Sequence, residues 1–148
     1  MKINLSKANL LRLISLGIIA VGILADQLTK LLAVAHLSEI STFPLWKGVF
    51  HLTYVENRGA AFGMLAEHRW IFMVVSSVAI LALLAWLVLS KDLRPLSVIS
   101  LSLIASGGIA NMIDRVRLGY VVDFFDFTLI DFAVFNVADC FVCIGAGI

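Results

Sequence analysis

The chain has 148 residues, 61% of them hydrophobic and only 14% charged, with a net charge of +1 and a mean hydropathy of +1.05. A soluble domain carries about 45–50% apolar and about 25% charged residues, so this composition excludes a soluble globular enzyme and a disordered chain. A net charge this small supplies no basic field for phosphate backbones, which excludes a nucleic-acid binder.

In chain order, residues 13–25 carry no charge, and the apolar pattern runs on past Asp26 to about Ala35. Residues 70–90 and 95–113 are likewise free of charge, and residues 132–148 contain a single acid, Asp139. A helix rises about 1.5 Å per residue and the hydrocarbon layer is about 30 Å thick, so roughly 20 apolar residues span it. The expected fold is an all-α membrane protein. It is a four-transmembrane-helix bundle in one integral membrane domain, 1–148, with spans at about 10–35, 70–90, 95–113 and 132–148.

Lys2, Lys7 and Arg12 before the first apolar run resemble the start of a secretory signal, and Ala20-Val21-Gly22 is a weak cleavage site. The run continues beyond that site and three more follow, so an uncleaved anchor is the expectation. The same basic residues, with Lys91 and Arg94 in the short turn between the second and third runs, orient the bundle. Basic density in short loops places both termini on the cytoplasmic side. Of the ten acids, Asp92 alone falls on that side.

The two outer regions, about 36–69 and 114–131, are mixed in character. Val49–Val55 alternates as a strand does, and Gly119–Phe127 is strand-like and rich in aromatics. Gly59 and Gly63, with Ala60, Ala61 and Phe62 between them, suggest a close backbone approach or an interfacial segment. A small extracytoplasmic β-platform against the outer leaflet is expected.

Polar residues inside apolar runs are costly and face the bundle interior by default. Asp26 and Lys30 lie one helical turn apart and can pair. A structural ion pair and a direct catalytic role both fit that spacing. Asn111, Asp114 and Arg115 stand at i, i+3 and i+4 and project from one face. Ser102, Ser106 and Ala110 form a separate small-residue stripe suited to close helix packing. Asn136 and Asp139 share a face of the last run, and Asp123, in VVDFF, is the candidate partner for Asp139. Two such carboxylates can share one proton and activate a water. The residue pattern leaves open a second reading, a small proton- or ion-coupled transporter with Asp139 as its coupling acid. That reading calls for repeat-like halves and midplane acids, and neither is evident.

Other chemistries fit worse. Cys140 and Cys143 form C-x-x-C inside an apolar run without a further ligand, and His36, His51 and His68 lack metal-ligand spacing. Ser106 lacks the frame of a nucleophilic serine.

Five segments, DQLTK at 26–30, ENRGAAFG at 56–63, GGIANMIDR at 107–115, VVDF at 121–124 and FNVAD at 135–139, together resemble lipoprotein signal peptidase. This family, signal peptidase II, comprises bacterial intramembrane aspartyl proteases. The resemblance implies four spans with cytoplasmic termini, an extracytoplasmic cradle of short strands and a mobile interfacial segment. It implies location in the bacterial cytoplasmic (inner) membrane with the site near the outer face. The implied reaction is cleavage of prolipoproteins before a diacylglyceryl-modified cysteine, among membrane lipids. Asp123 and Asp139 match the catalytic pair. Asn57, Asn111, Arg115 and Asn136 match polar residues lining the site, and Asp26, Lys30 and Asp114 match its supporting charges. The resemblance further implies no metal or organic cofactor, and inhibition by globomycin-type cyclic peptides.

Two departures from the family pattern stand out. Ala110 occupies a position usually held by glycine, where one methyl can tighten a helix contact. The chain also stops nine residues after Asp139, whereas family members generally continue into a basic tail. Either the last helix is short or the chain is truncated.

Overall fold

The computed structural model describes residues 6–59, 69–130 and 132–148. These form four helices and three strands in the order α1 (Lys7–Leu37), β1 (Thr42–Trp46), β2 (Phe50–Asn57), α2 (Arg69–Leu89), α3 (Pro95–Arg117), β3 (Val121–Asp126) and α4 (Val137–Gly147). The GAAFG segment read as a close backbone approach or an interfacial segment lies, apart from Gly59, outside the described residues.

α1 starts where Ser6 turns its side chain onto the Asn9 N–H, and it contains no proline. Its buried residues are Leu11, Ser15, Gly22, Asp26, Lys30, Ala33 and Leu37, a stripe at helical spacing. Its opposite faces expose Leu16, Val21, Leu24, Leu28 and Leu31. α3 opens on Pro95, whose missing N–H costs nothing at the first helical position. It closes on a Leu118 N–H bond to the Asp114 carbonyl, and Gly119 then turns the chain at a φ of +83°.

α1 and α3 are long and apolar enough to cross a membrane, while the apolar stretches Met73–Leu89 and Val137–Gly147 are shorter. The apolar run read as 132–148 is helical only from Val137. Phe135 is extended and bridges to Phe125 of β3, and Asn136 caps α4. The spacing of Asn136 and Asp139 thus marks a helix start rather than a shared helical face.

β1, β2 and β3 form one antiparallel sheet in that order, with Val55 opposite Asp123 and Asn57 opposite Val121. The first four residues of β3, Val121–Phe124, are buried. Ala33 and Leu37 of α1 pack with Val122 and Phe124, which fixes the sheet against the end of the bundle.

α3 is the central element, packed against α1, α2 and α4. Gly107 and Gly108 face different neighbours, since a Cβ on the first would run into the Ala138 carbonyl oxygen of α4 and one on the second would meet Ile80 of α2 at 3.1 Å. The serine stripe is buried against α1, with Ser102 Oγ and Ser15 Oγ hydrogen-bonded at 2.7 Å. Ala110 is fully buried, so its methyl is accommodated. At the opposite end from the sheet, Arg12 donates to the Ser90 carbonyl at 3.1 Å and ties the start of α1 to the end of α2.

Gly107→Ala should lower thermal stability in detergent, because a backbone carbonyl cannot retreat as a side chain can; overpacking of this kind costs about 1–3 kcal/mol. Gly17 has open space around its Cβ position, so Gly17→Ala should be neutral or mildly stabilising. A melting temperature left unchanged by Gly107→Ala would contradict the close α3–α4 crossing.

Candidate active site

The start of α4 holds the first acid. The Asn136 side-chain oxygen accepts the Asp139 N–H at 3.0 Å, and the Asp139 Oδ2 accepts the Asn136 N–H at 3.1 Å. This reciprocal capping box fixes both side chains on the first turn. The other oxygen of Asp139, Oδ1, accepts from Asn111 Nδ2 at 2.8 Å.

The second acid enters from the sheet. Asp123 is 1% exposed, and its oxygens accept from Asn136 Nδ2 at 2.6 Å and Asn57 Nδ2 at 2.9 Å. The antiparallel pairing of β2 with β3 brings Asn57 within reach. Burial pushes the Asp123 carboxyl up to about 6; the hydrogen bond from Asn57 opposes that rise, and the charge of Asp139 adds to it. Asn136 therefore bonds both acids, one through its amide nitrogen and the other through its amide oxygen and backbone N–H.

Beneath the pair lies a buried charge cluster. Lys30 Nζ is 2.8 Å from each of Asp26 Oδ2, Asp114 Oδ2 and Asn111 Oδ1. Asp26 Oδ1 accepts the Ala138 N–H of α4 at 2.8 Å, and Asp114 Oδ2 accepts the Val122 N–H of β3 at 3.3 Å. Gln27 Nε2 donates to Asp114 Oδ1 at 2.8 Å. Gln27 escaped the sequence reading, although an amide within the first apolar run was a usable signal. Arg115 reaches the carbonyls of Gly59 and Asn111, each at 3.4 Å.

Asn57, Asn111, Arg115, Asp123 and Asp139 line one cavity of about 570 Å³. Its other walls are apolar and include Phe132, Val134, Phe135, Val142 and Ile144. The structure thus gathers four of the polar residues expected at a site with both acids, counting Asn136 beneath them. Asp26, Lys30 and Asp114 sit behind this wall. An acidic pair in an apolar cavity can hold a water and exchange protons with it. Among the described residues no three His, Cys, Asp or Glu side chains cluster as metal ligands.

A family model described as signal peptidase (SPase) II matches residues 18–148. The chain belongs to the signal peptidase II family. It is 48% identical over 120 residues to a lipoprotein signal peptidase of Clostridioides difficile, covering 81% of this chain and 80% of that one. It is 48% identical over 129 residues to one of Caldanaerobacter subterraneus, covering 87% and 88%. Among solved structures it is similar to a bacterial membrane enzyme determined by the in meso method at 2.3 Å resolution. The TM-score is 0.80 at 30% identity, over 89% of this chain and 82% of that one. The chain is accordingly a peptidase of bacterial membranes that removes signal peptides from prolipoproteins. The transporter reading finds no support in these matches.

The raised affinity of Asp123 for its proton fixes the sign of one pH effect. An unfolded aspartate ionises near 3.8 and the folded one near 6. The stability this residue contributes is therefore complete below about pH 4 and lost as pH rises through 6. At about 1.4 kcal/mol per unit, ionising Asp123 costs the fold about 3 kcal/mol. The melting temperature of Asp123→Asn, measured relative to the parent, should rise by several degrees between pH 4 and pH 7.5. A difference independent of pH would mean that Asp123 titrates as an exposed carboxyl does.

Proposed function

We propose that the chain is an aspartic-type endopeptidase in which Asp123 and Asp139 act as a pair on prolipoproteins, cleaving before a diacylglyceryl-modified cysteine. The observation that carries this reading is that two carboxylates from different elements, β3 and α4, line one apolar cavity and are both bonded by Asn136. One carboxylate takes a proton from a water as its oxygen attacks the scissile carbonyl carbon. The other, protonated, gives its proton to the carbonyl oxygen. Collapse of the tetrahedral intermediate breaks the C–N bond as the carboxylate that took the water's proton gives it to the leaving amine and the other takes back a hydroxyl proton, which restores the shared proton. Asp123, whose burial favours its neutral form, is the natural holder of the shared proton.

Asn57, Asn111 and Arg115 then serve as the polar wall, with Asn136 buried behind them, and donors there meet the carbonyls of an extended substrate in a site short of water. Phe132, Val142 and Ile144 offer an apolar surface to acyl chains. Cyclic peptides of the globomycin type would occupy the same cavity. Asp26, Lys30 and Asp114 support these groups from behind.

The reading extends to topology. The chain forms one domain over 1–148 in the bacterial cytoplasmic membrane and among its lipids, with α1, α2 and α3 spanning, the 11-residue α4 running inward among them, the sheet at the outer face and the termini directed to the cytoplasmic side. The Arg12–Ser90 bond supports this, since it gathers Arg12 near the end of α2 and the Lys91–Arg94 turn, away from the sheet. Exposed leucine and valine on α1 and α2 suit hydrocarbon.

The test is cleavage of a diacylglyceryl-modified prolipoprotein by the purified chain, beside Asp123→Asn, Asp139→Asn and an unlipidated substrate. The parent should cleave the lipidated form alone, and both folded variants should show no measurable cleavage. Activity retained in either variant would overturn the pair. Equal cleavage of the unlipidated substrate would overturn the assigned substrate.

A further inference from the structure

We propose that the groove between α2 and α3, on the side of α3 turned away from the acidic pair, holds one acyl chain of a glycerophospholipid whose phosphate pairs with Arg117. The inference goes beyond the peptidase reading, since neither acid and no wall of the catalytic cavity takes part.

The groove encloses about 530 Å³. On α3 its wall is Ile109, Met112, Ile113 and Val116, at i, i+3, i+4 and i+7, and Arg117 continues the row of Ile109 and Ile113 at the next i+4 step. Ile80 and Leu81 of α2 face them. Asn111 and Arg115, which line the catalytic cavity, stand on the opposite side of the same helix. The two cavities are therefore separated by the body of α3.

Arg117 is exposed at the mouth of this groove, and among the described residues no carboxylate pairs with it. A cation near a helix C-terminus suits the helix dipole, but Arg115 already supplies one in the last turn of α3. An apolar groove ending in an unpaired guanidinium has instead the chemistry of a phospholipid reversed, with a slot for the chain and a fork for the phosphate. The level is right for a headgroup. Because α2 leads into α3 through a short turn, the start of α2 stands at the same end as Arg117. Trp70 there is 61% exposed, as suits a residue at the membrane interface.

Length selects the occupant. Ile109 to Arg117 rises about 12 Å, close to the depth of one leaflet, about 15 Å, and far short of the roughly 30 Å that a spanning peptide helix would cover. The diacylglyceryl group of a prolipoprotein carries no phosphate and so leaves Arg117 unused.

The experiment is native mass spectrometry of the delipidated chain in a neutral detergent, titrated with phosphatidylglycerol. The parent should bind one phosphatidylglycerol, and Arg117→Gln should bind it at least tenfold more weakly, the loss expected of a charge-assisted hydrogen bond. Arg117→Lys should keep most of the affinity. Val116→Trp should weaken binding too, by filling the groove. Val116 and Arg117 are both exposed, so these variants keep the fold. Diacylglycerol, which the catalytic cavity can take, should bind equally to the parent and Arg117→Gln. Equal phosphatidylglycerol affinity in the parent and Arg117→Gln, or in the parent and Val116→Trp, would overturn the proposal. Displacement of the lipid by glycerol phosphate at similar concentration would also overturn it, since the site would then read the phosphate alone. Cleavage assays of Asp123→Asn and Asp139→Asn decide the acidic pair separately, whatever the titration gives.

Discussion

An ammonium buried among apolar helices is tolerable only if every proton it carries is matched, and Lys30 meets that condition with Asp26, Asp114 and Asn111. Taking charges out of water costs several kcal/mol per ion, and breaking such a cluster by removing one partner typically costs about 3–5 kcal/mol. The cluster holds two carboxylates against one cation. Backbone N–H groups supply the rest, Ala138 to Asp26 and Val122 to Asp114, along with the amide of Gln27. These are the N–H of a helix start and of a strand. Satisfying the charge therefore forces α1, α3, α4 and β3 to converge at one level of the molecule.

Around that point the usual distribution is inverted. The fully or nearly buried side chains include Asp26, Lys30, Asp114, Asp123 and Asn136, while Leu16, Leu24, Val75, Leu81 and Leu89 are exposed. In water such an arrangement would lose the hydrophobic term that holds a core together. In hydrocarbon, association instead rests on close packing and internal hydrogen bonds. The Ser15–Ser102 bond and the contact of Gly107 with the Ala138 backbone are of that kind. The second matters doubly, because Ala138 also donates to Asp26 and adjoins Asp139. One residue of α4 carries a helix contact, an ion-cluster bond and the placement of the acid.

The parts legible in the sequence are those governed by local period or composition. Charge-free runs give the helices, and alternation at Val49–Val55 and Gly119–Phe127 gives β2 and β3. β1 was not separable, since Pro44 and Trp46 break the alternation of Thr42–Trp46, as suits an exposed edge strand. The start of α4 was hidden because Phe132–Phe135 is as apolar as the helix after it, and only a tertiary bridge to Phe125 holds Phe135 extended. Same-helix pairings such as Asp26 with Lys30 follow from spacing. Cross-element ones, Lys30 with Asn111 and Asp114 or Asn57 with Asp123, depend on which helix and strand meet, and no period encodes that.

Asn136 shows why an amide rather than a carboxylate stands between the two acids. Its Nδ2 donates to Asp123 Oδ1 and Asn111 Oδ1, and its Oδ1 accepts the Asp139 N–H. An aspartate would cap the helix equally well, but it would turn an acceptor toward the carboxylate of Asp123 and bring like charges together in a buried site. A serine would cap as well, with only one proton to give and a shorter reach. An amide accepts at the helix start while its two protons reach both Asp123 and Asn111. The identity of this residue is thus fixed from two directions, by the geometry of α4 and by the acceptor oxygen that Asp123 turns toward it.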